Sequence, residues 1–227
     1  AGSLKIPKKI FNNNFNSTKF VTNETYKNNK KLIFISSTSI YGPQKNNVSE
    51  KTLYSSFKPQ SPYAKCKLKE ENYIRSKFKM NTFTNNYCIL RFGTIFGHSP
   101  GMRFHTAVNK FCWQAVFREP LTVWKTALYQ KRPYLGINDA SNAIYHVIKN
   151  NLFKNNTYNV LTFNKKVIDI INIIKIKIPD LNIEFVDSKI MNQESFEVLS
   201  SKFKKSNFKY KDDLKNLIFK EIKFLSN

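Results

Sequence analysis

Lys31-Leu32-Ile33-Phe34-Ile35-Ser36-Ser37-Thr38-Ser39-Ile40-Tyr41-Gly42, followed across a polar gap by Ser61-Pro62-Tyr63-Ala64-Lys65-Cys66-Lys67, decides the reading of this chain. An apolar, β-branched run at Lys31–Ser36 reads as a buried strand, and it ends in four hydroxyls, Ser36 to Ser39. Ser61 and Pro62 then form a helix-start signal. Tyr63 and Lys67 stand at i and i+4, on one helix face. A cation beside a phenol favours the phenolate and lowers its pKa. A hydroxyl, a tuned tyrosine and a lysine together can move a proton on an alcohol or a carbonyl.

Spacing alone carries no weight here. Tyr-x-x-x-Lys occurs six times, at Tyr26/Lys30, Tyr41/Lys45, Tyr54/Lys58, Tyr63/Lys67, Tyr73/Lys77 and Tyr145/Lys149. What singles out Tyr63 is the helix start before it and the hydroxyl-rich strand end upstream. Outward from that pair, patterning predicts helices over residues 11–29, 61–79, 103–118, 138–150, 165–177 and 212–225. It predicts strands at 31–36, 87–92, 121–124, 133–137, 157–161 and 182–186. Asn138 or Asp139 is the expected N-cap of the 138–150 helix. Alternating strands and helices imply an α/β fold with a mostly parallel sheet.

The 227 residues suffice for one full domain, or a domain and a small lobe. The formal charge of +23 invites a nucleic-acid reading. The basic residues are nearly all Lys, with Arg only at 75, 91, 103, 118 and 132, and they are scattered. Dedicated nucleic-acid binding calls for Arg forks or a clustered basic stripe with aromatics, so that class is set aside. No apolar run is long enough for a membrane span. Cys66, Cys88 and Cys112 fit neither a disulfide framework nor a zinc site, and His98, His105 and His146 lack metal-ligand spacing; no metal is expected. A reducing, cytoplasmic setting is the default.

The Ser-Ser-Thr-Ser-Ile-Tyr-Gly strand end with Tyr63 and Lys67 resembles the extended short-chain dehydrogenase/reductase family, the NAD-dependent nucleotide-sugar epimerases and dehydratases. The resemblance implies the C-terminal portion of a Rossmann-type doubly wound parallel sheet with a smaller α/β substrate-binding lobe. Residues 1–100 would carry a partial Rossmann core with the Ser/Tyr/Lys site, and 101–227 the rest of the core interleaved with the lobe. It implies catalytic roles for Ser37, which would orient a substrate oxygen, for Tyr63 as acid/base, and for Lys67, which would hold the nicotinamide ribose and depress the Tyr63 pKa. Cofactor contacts (NAD or NADP) would come from Ala1, Gly2, Asn14, Ser36, Tyr63, Lys67 and Phe92. Substrate contacts would come from Thr38, Ser39, Thr94 in the segment Leu90–Gly97, Asn109, and Arg132, whose fork suits a diphosphate. Gly136 stands where the family usually has His.

The implied function is a UDP-glucose 4-epimerase-like enzyme acting through transient oxidation of a sugar hydroxyl. The alternatives are a reductase or dehydratase, or a non-catalytic nucleotide-sugar-binding remnant. The related dehydratases place Asp-Glu after the active-site hydroxyl; Thr38-Ser39 stands there in this chain, without the acid/base pair that water elimination uses. The family's Gly-x-x-Gly-x-x-Gly turn, which lets backbone approach a pyrophosphate, is not among the six glycines. By comparison with the family pattern, a missing N-terminal fragment would carry it. The chain alone is therefore expected to bind the cofactor poorly, and the 31–36 strand to have an unpaired edge and an exposed apolar face. The resemblance also implies a homodimer through helices 11–29 and 61–79.

Overall fold

The computed structural model describes residues 8–79, 86–187 and 197–227; the expected cofactor contacts Ala1 and Gly2 lie outside them. Its centre is a parallel sheet of β1 (Leu32–Ser37), β2 (Tyr87–Phe92) and β6 (Asn156–Val160), with β2 in the middle. Every residue of β2 is buried, as a middle strand covered on both faces requires. Helix α1 (Lys8–Lys27) leads into β1, and α2 (Pro62–Lys79) connects β1 to β2 as a βαβ unit. The Ser61 hydroxyl accepts from Ala64 N at 3.1 Å, so the expected helix start at Ser61-Pro62 is the one that forms.

The edge of β1 away from β2 has no strand partner among the described residues. Its faces, however, are covered, which corrects the expected exposed apolar face. Leu32 and Phe34 pack with Ile74 and Phe78 of α2. Ile33 and Ile35 lie against a second cluster containing Leu90, Ala143 and Val147. The last two belong to α4 (Ile137–Lys149), so helices close both faces of the sheet. Helix α1 packs along α2, with Phe15 edge-on to Tyr73, and leaves Phe20 and Val21 exposed.

The remaining strands build a lobe at the end of the sheet. The strands β3 (Thr94–Phe96), β5 (Lys131–Gly136) and β7 (Phe163–Lys166) form one small sheet; β4 (Leu121–Trp124) and β8 (Ile183–Val186) form another. Helices α3 (Ala107–Val116), α5 (Val167–Lys177) and α7 (Leu214–Leu225) enclose the core of this lobe, and α6 (Ser201–Lys204) is a single turn packed by β6. β3 and β7 were not expected. Lys165 and Lys166, assigned by pattern to a helix, instead pair antiparallel with Arg132 and Lys131.

The start of α4 departs from expectation in an instructive way. Its N-cap is Gly136, not Asn138 or Asp139. Asp212, from far along the chain, accepts from Asp139 N at 2.8 Å and from Asn138 Nδ2 at 2.8 Å. Asp139 in return accepts from Lys211 N and from the Thr162 hydroxyl. A Cβ at position 136 would stand 2.2 Å from Asp212 Oδ2. That collision explains why glycine occupies a place where a larger side chain was expected.

Candidate active site

The parallel strands β1 and β2 end side by side, and the hydroxyl cluster sits at the end of β1. Ser37 closes the strand in extended conformation, and a short 3₁₀ turn, Thr38–Tyr41, follows. Ser37 Oγ accepts from Ser39 N at 3.2 Å and from Ser39 Oγ at 2.9 Å. Thr38 is buried and donates to Phe92 O at 3.2 Å, which ties the turn to the end of β2. Gly42 ends the turn at φ +64°, and any Cβ there would overlap Lys58 O. Glycine is therefore required where the chain leaves the site.

Tyr63 lies in the first turn of α2, and its phenol comes close enough to the Ser37 side chain to be favoured by it in the ionised form. Although the residue is 38% exposed, partial burial raises the phenol above its ordinary value; Ser37 and, more weakly, Arg103 pull it back down. The Lys67 ammonium lies 6.0 Å from the centre of the Tyr63 ring. It pairs with Glu70 Oε2 at 3.3 Å and lies 4.6 Å from the centre of the Phe34 ring. Glu70 is almost fully buried and also accepts from Thr18 of α1 at 2.6 Å, so it holds both helices and the lysine. Asn14 is exposed on α1, one turn before Thr18. Cys66, between two lysines, has its thiol pushed up to about 11 by burial and by Glu70. It is a packing residue, set against Phe11 O.

The other expected contacts sit on β2 and on the strands and helix of the lobe. Phe92 is buried at the end of β2, and Thr94 is half-buried on β3, paired in register with Tyr134 of β5. Asn109 is 3% exposed and its Oδ1 accepts from Gly97 N at 3.2 Å. Arg132 is half-buried on β5 and donates to Gln130 Oε1; burial lowers its proton affinity. The structure thus joins Ser36, Ser37, Thr38, Ser39, Tyr63, Lys67 and Phe92 in one place. Thr94, Asn109 and Arg132 belong to the adjoining strands and helix of the lobe. An open cleft of about 720 Å³ lies elsewhere, between α3, α5 and α7, and none of these residues lines it.

Three partners escaped the sequence reading. Arg103 bears on the Tyr63 phenol because α3 begins only at Ala107, leaving residue 103 in a loop rather than a helix. Glu70 is legible only once α1 is placed. The third is an ion pair beneath the site. Arg91 of β2 is 1% exposed and gives Nε to Glu71 Oε1 at 2.9 Å and Nη2 to Glu71 Oε2 at 2.7 Å. Its remaining donors reach Tyr41 Oη at 2.8 Å and Tyr54 Oη at 2.7 Å. Burial alone would raise the Glu71 carboxyl, but the Arg91 guanidinium outweighs it and holds the group below its ordinary value. An arginine inside a fully apolar strand was the available signal: a buried charge must find a partner.

A parallel sheet carrying hydroxyls, a tyrosine and a lysine at its strand ends, beside an α/β lobe, defines a short-chain dehydrogenase-like protein. The family model described as "NAD dependent epimerase/dehydratase family" matches residues 1–160, and the chain belongs to that family. A Bacillus subtilis protein, "Uncharacterized UDP-glucose epimerase YtcB", is 32% identical over 119 residues, 52% of this chain and 34% of that protein. The match therefore spans about a third of the relative's length. The fold resembles UDP-glucuronic acid 4-epimerase from Bacillus cereus, solved with NAD. The TM-score is 0.81 at 21% identity, covering 97% of this chain and 69% of that one. It also resembles UDP-N-acetylglucosamine 4-epimerase from Methanobrevibacter ruminantium M1 in complex with UDP-N-acetylmuramic acid. There the TM-score is 0.81 at 22% identity, covering 98% and 72%. The dTDP-glucose 4,6-dehydratase from Bacillus anthracis, solved with NAD, gives 0.82 at 17% identity, covering 96% and 70%.

Proposed function

We propose that this chain carries the acid–base site and the sugar-nucleotide side of a UDP-sugar 4-epimerase. The observation that carries the reading is the approach of the Tyr63 phenol to the Ser37 side chain at the end of β1, with Lys67 one turn further along α2. The curated relative and the structural neighbours support the same class of substrate. Thr38 and Ser39 favour epimerisation over dehydration, because no carboxylate follows Ser37 to take part in removing water.

The residues present fit the nicotinamide end of NAD(P). Lys67 has spare donors beyond its bond to Glu70, and Tyr63 offers a partly exposed phenol beside the strand ends, where parallel α/β sheets bind ligands. A nicotinamide bound there supplies a hydride acceptor and donor. Ser37 orients the sugar hydroxyl, and Tyr63 Oη, once it has given its own proton to water, takes the sugar's proton and later returns it. The raised phenol means that Tyr63 rests protonated. Lys67 and Arg103 supply the positive charge that favours the phenolate when the proton moves. Arg132 and Asn109 face the diphosphate, which a planar guanidinium grips well.

The test is Tyr63→Phe in a protein where this chain is joined to the Gly-rich strands of a family member. Conversion of UDP-glucose to UDP-galactose, followed by chromatography, is expected to fall by at least the ~10²–10⁴-fold typical of a lost acid–base group. Affinity for UDP-glucose is expected to stay unchanged. Retained turnover contradicts the assignment.

A further inference from the structure

Helix α7 carries one carboxylate in the apolar core of the lobe. Glu221 is fully buried, and neither of its oxygens has a hydrogen-bond partner among the described residues. An ionised carboxylate without a partner is one of the costliest groups to bury, so the fold favours the neutral acid. The neighbours of Glu221 along its own helix show where it faces. Leu217, one turn earlier, would be 3.7 Å from a Cβ placed on Gly97. Phe224, three residues later, stacks on His98 with ring centroids 3.6 Å apart. Residues 217, 221 and 224 share one helix face, so Glu221 lies against the Gly97–His98 turn.

Gly97 sits at φ +111°, a conformation that glycine tolerates. Its N–H is given to Asn109 Oδ1 at 3.2 Å. It is also near enough to Glu221 to favour the ionised carboxylate. Two acceptors thus stand around one donor. The ionisable group facing Glu221 from α3 is Cys112, fully buried, its thiol raised by burial and further by Glu221 itself. From the turn it is His98; Lys177 of α5 is set over the Phe219 ring, and Lys220 and Lys223 of α7 itself complete the charged groups around the helix. None of these forms an ion pair with Glu221 among the described residues. Burial pushes its carboxyl up to about 7, with Gly97 opposing.

We propose that Glu221 is a pH-responsive positioning residue for the Gly97 turn: as a neutral acid it leaves the Gly97 N–H to Asn109, and as a carboxylate it takes that N–H and releases the Asn109 carbonyl. The proposal deepens the sugar-nucleotide reading above and rests on it for its consequence. Asn109 belongs to the side that meets the diphosphate, so proton loss from Glu221 unfixes a substrate contact and places a negative charge behind it. Substrate affinity then falls as the pH rises through neutrality. The direction for stability is the same. The folded state holds this proton more tightly than the unfolded chain, whose carboxyl titrates near its ordinary value of 4.5. The contribution is complete below that value and is lost as the pH rises to about 7.

Two readouts separate the switch from the substrate reading. In the 227-residue chain labelled with ¹⁵N-glycine, the assigned Gly97 amide is expected to titrate with a midpoint near neutrality. In Glu221→Gln, which keeps the shape without the charge, it is expected to be independent of pH. Glu221→Leu serves the same purpose if the amide variant does not fold. A Gly97 amide that does not move in the parent chain, or moves alike in the variant, overturns the proposal. Calorimetric affinity for UDP-glucose is expected to weaken several-fold from mildly acidic to mildly alkaline pH in the parent and not in the variant. Equal pH dependence in both overturns the positioning role. If neither protein binds UDP-glucose while Gly97 still titrates, the sugar-nucleotide reading falls and the Glu221–Gly97 switch stands.

Discussion

The ion pair of Arg91 and Glu71 shows how much of this site rests on groups that never touch substrate. It joins the middle strand to the helix bearing Tyr63, and its spare hydrogens fix Tyr41 and Tyr54. Removing one partner strands the other charge in the interior, whereas exchanging both for apolar residues of similar size need not. Arg91→Ala is therefore expected to cost about 3–5 kcal/mol of stability, read from urea midpoints. The pair Arg91→Met with Glu71→Leu is expected to recover most of it. Equal losses in both proteins would show that the pair is not the source. Because the Glu71 carboxyl is held low, its contribution is present above the ordinary carboxyl range and disappears as acid brings the pH down through its folded value. At this scale the sequence showed the chemical groups but not their pairings. Lys67 lies 6.0 Å from the Tyr63 ring centre and pairs as well with Glu70, a carboxylate the sequence could not place because its other partner, Thr18, comes from another helix.

At the scale of elements, long periodic segments were legible and short ones were not. α2, β1, β2 and α7 carry strong patterns that tertiary packing had no reason to override. β3 is three residues long and β7 reads Phe-Asn-Lys-Lys; both exist only because β5 lies between them. The turn at Gly136 was unreadable for the same reason: the carboxylate that accepts from the Asp139 amide is Asp212, 73 residues further along the chain. The open edge of β1 leads to a measurable contrast. Leu32 N bonds to Asn86 O, so in a parallel strand the even-numbered peptide groups face β2 and those of Ile33 and Ile35 face the open side. The amides of Ile33 and Ile35 are expected to exchange with deuterium far faster than those of Phe34 and Ser36. Equal protection would mean that another strand covers this edge.

Across the whole molecule, the division is between a sheet that brings hydroxyl, phenol and lysine together and a lobe that presents Thr94, Asn109 and Arg132 beside it. The scattered lysines give the surface a strong positive field that attracts polyphosphates of many kinds. Charge alone cannot distinguish a sugar nucleotide from any other anion, whereas a built site can. Among the described residues, no helix is long and apolar enough to cross a membrane. The most direct test of the account is calorimetric titration of the chain with UDP-glucose, against inorganic tripolyphosphate at the same ionic strength. Saturable binding of UDP-glucose is expected, which tripolyphosphate does not displace and Arg132→Ala weakens. Equal binding of both anions, or no binding of UDP-glucose, would contradict it.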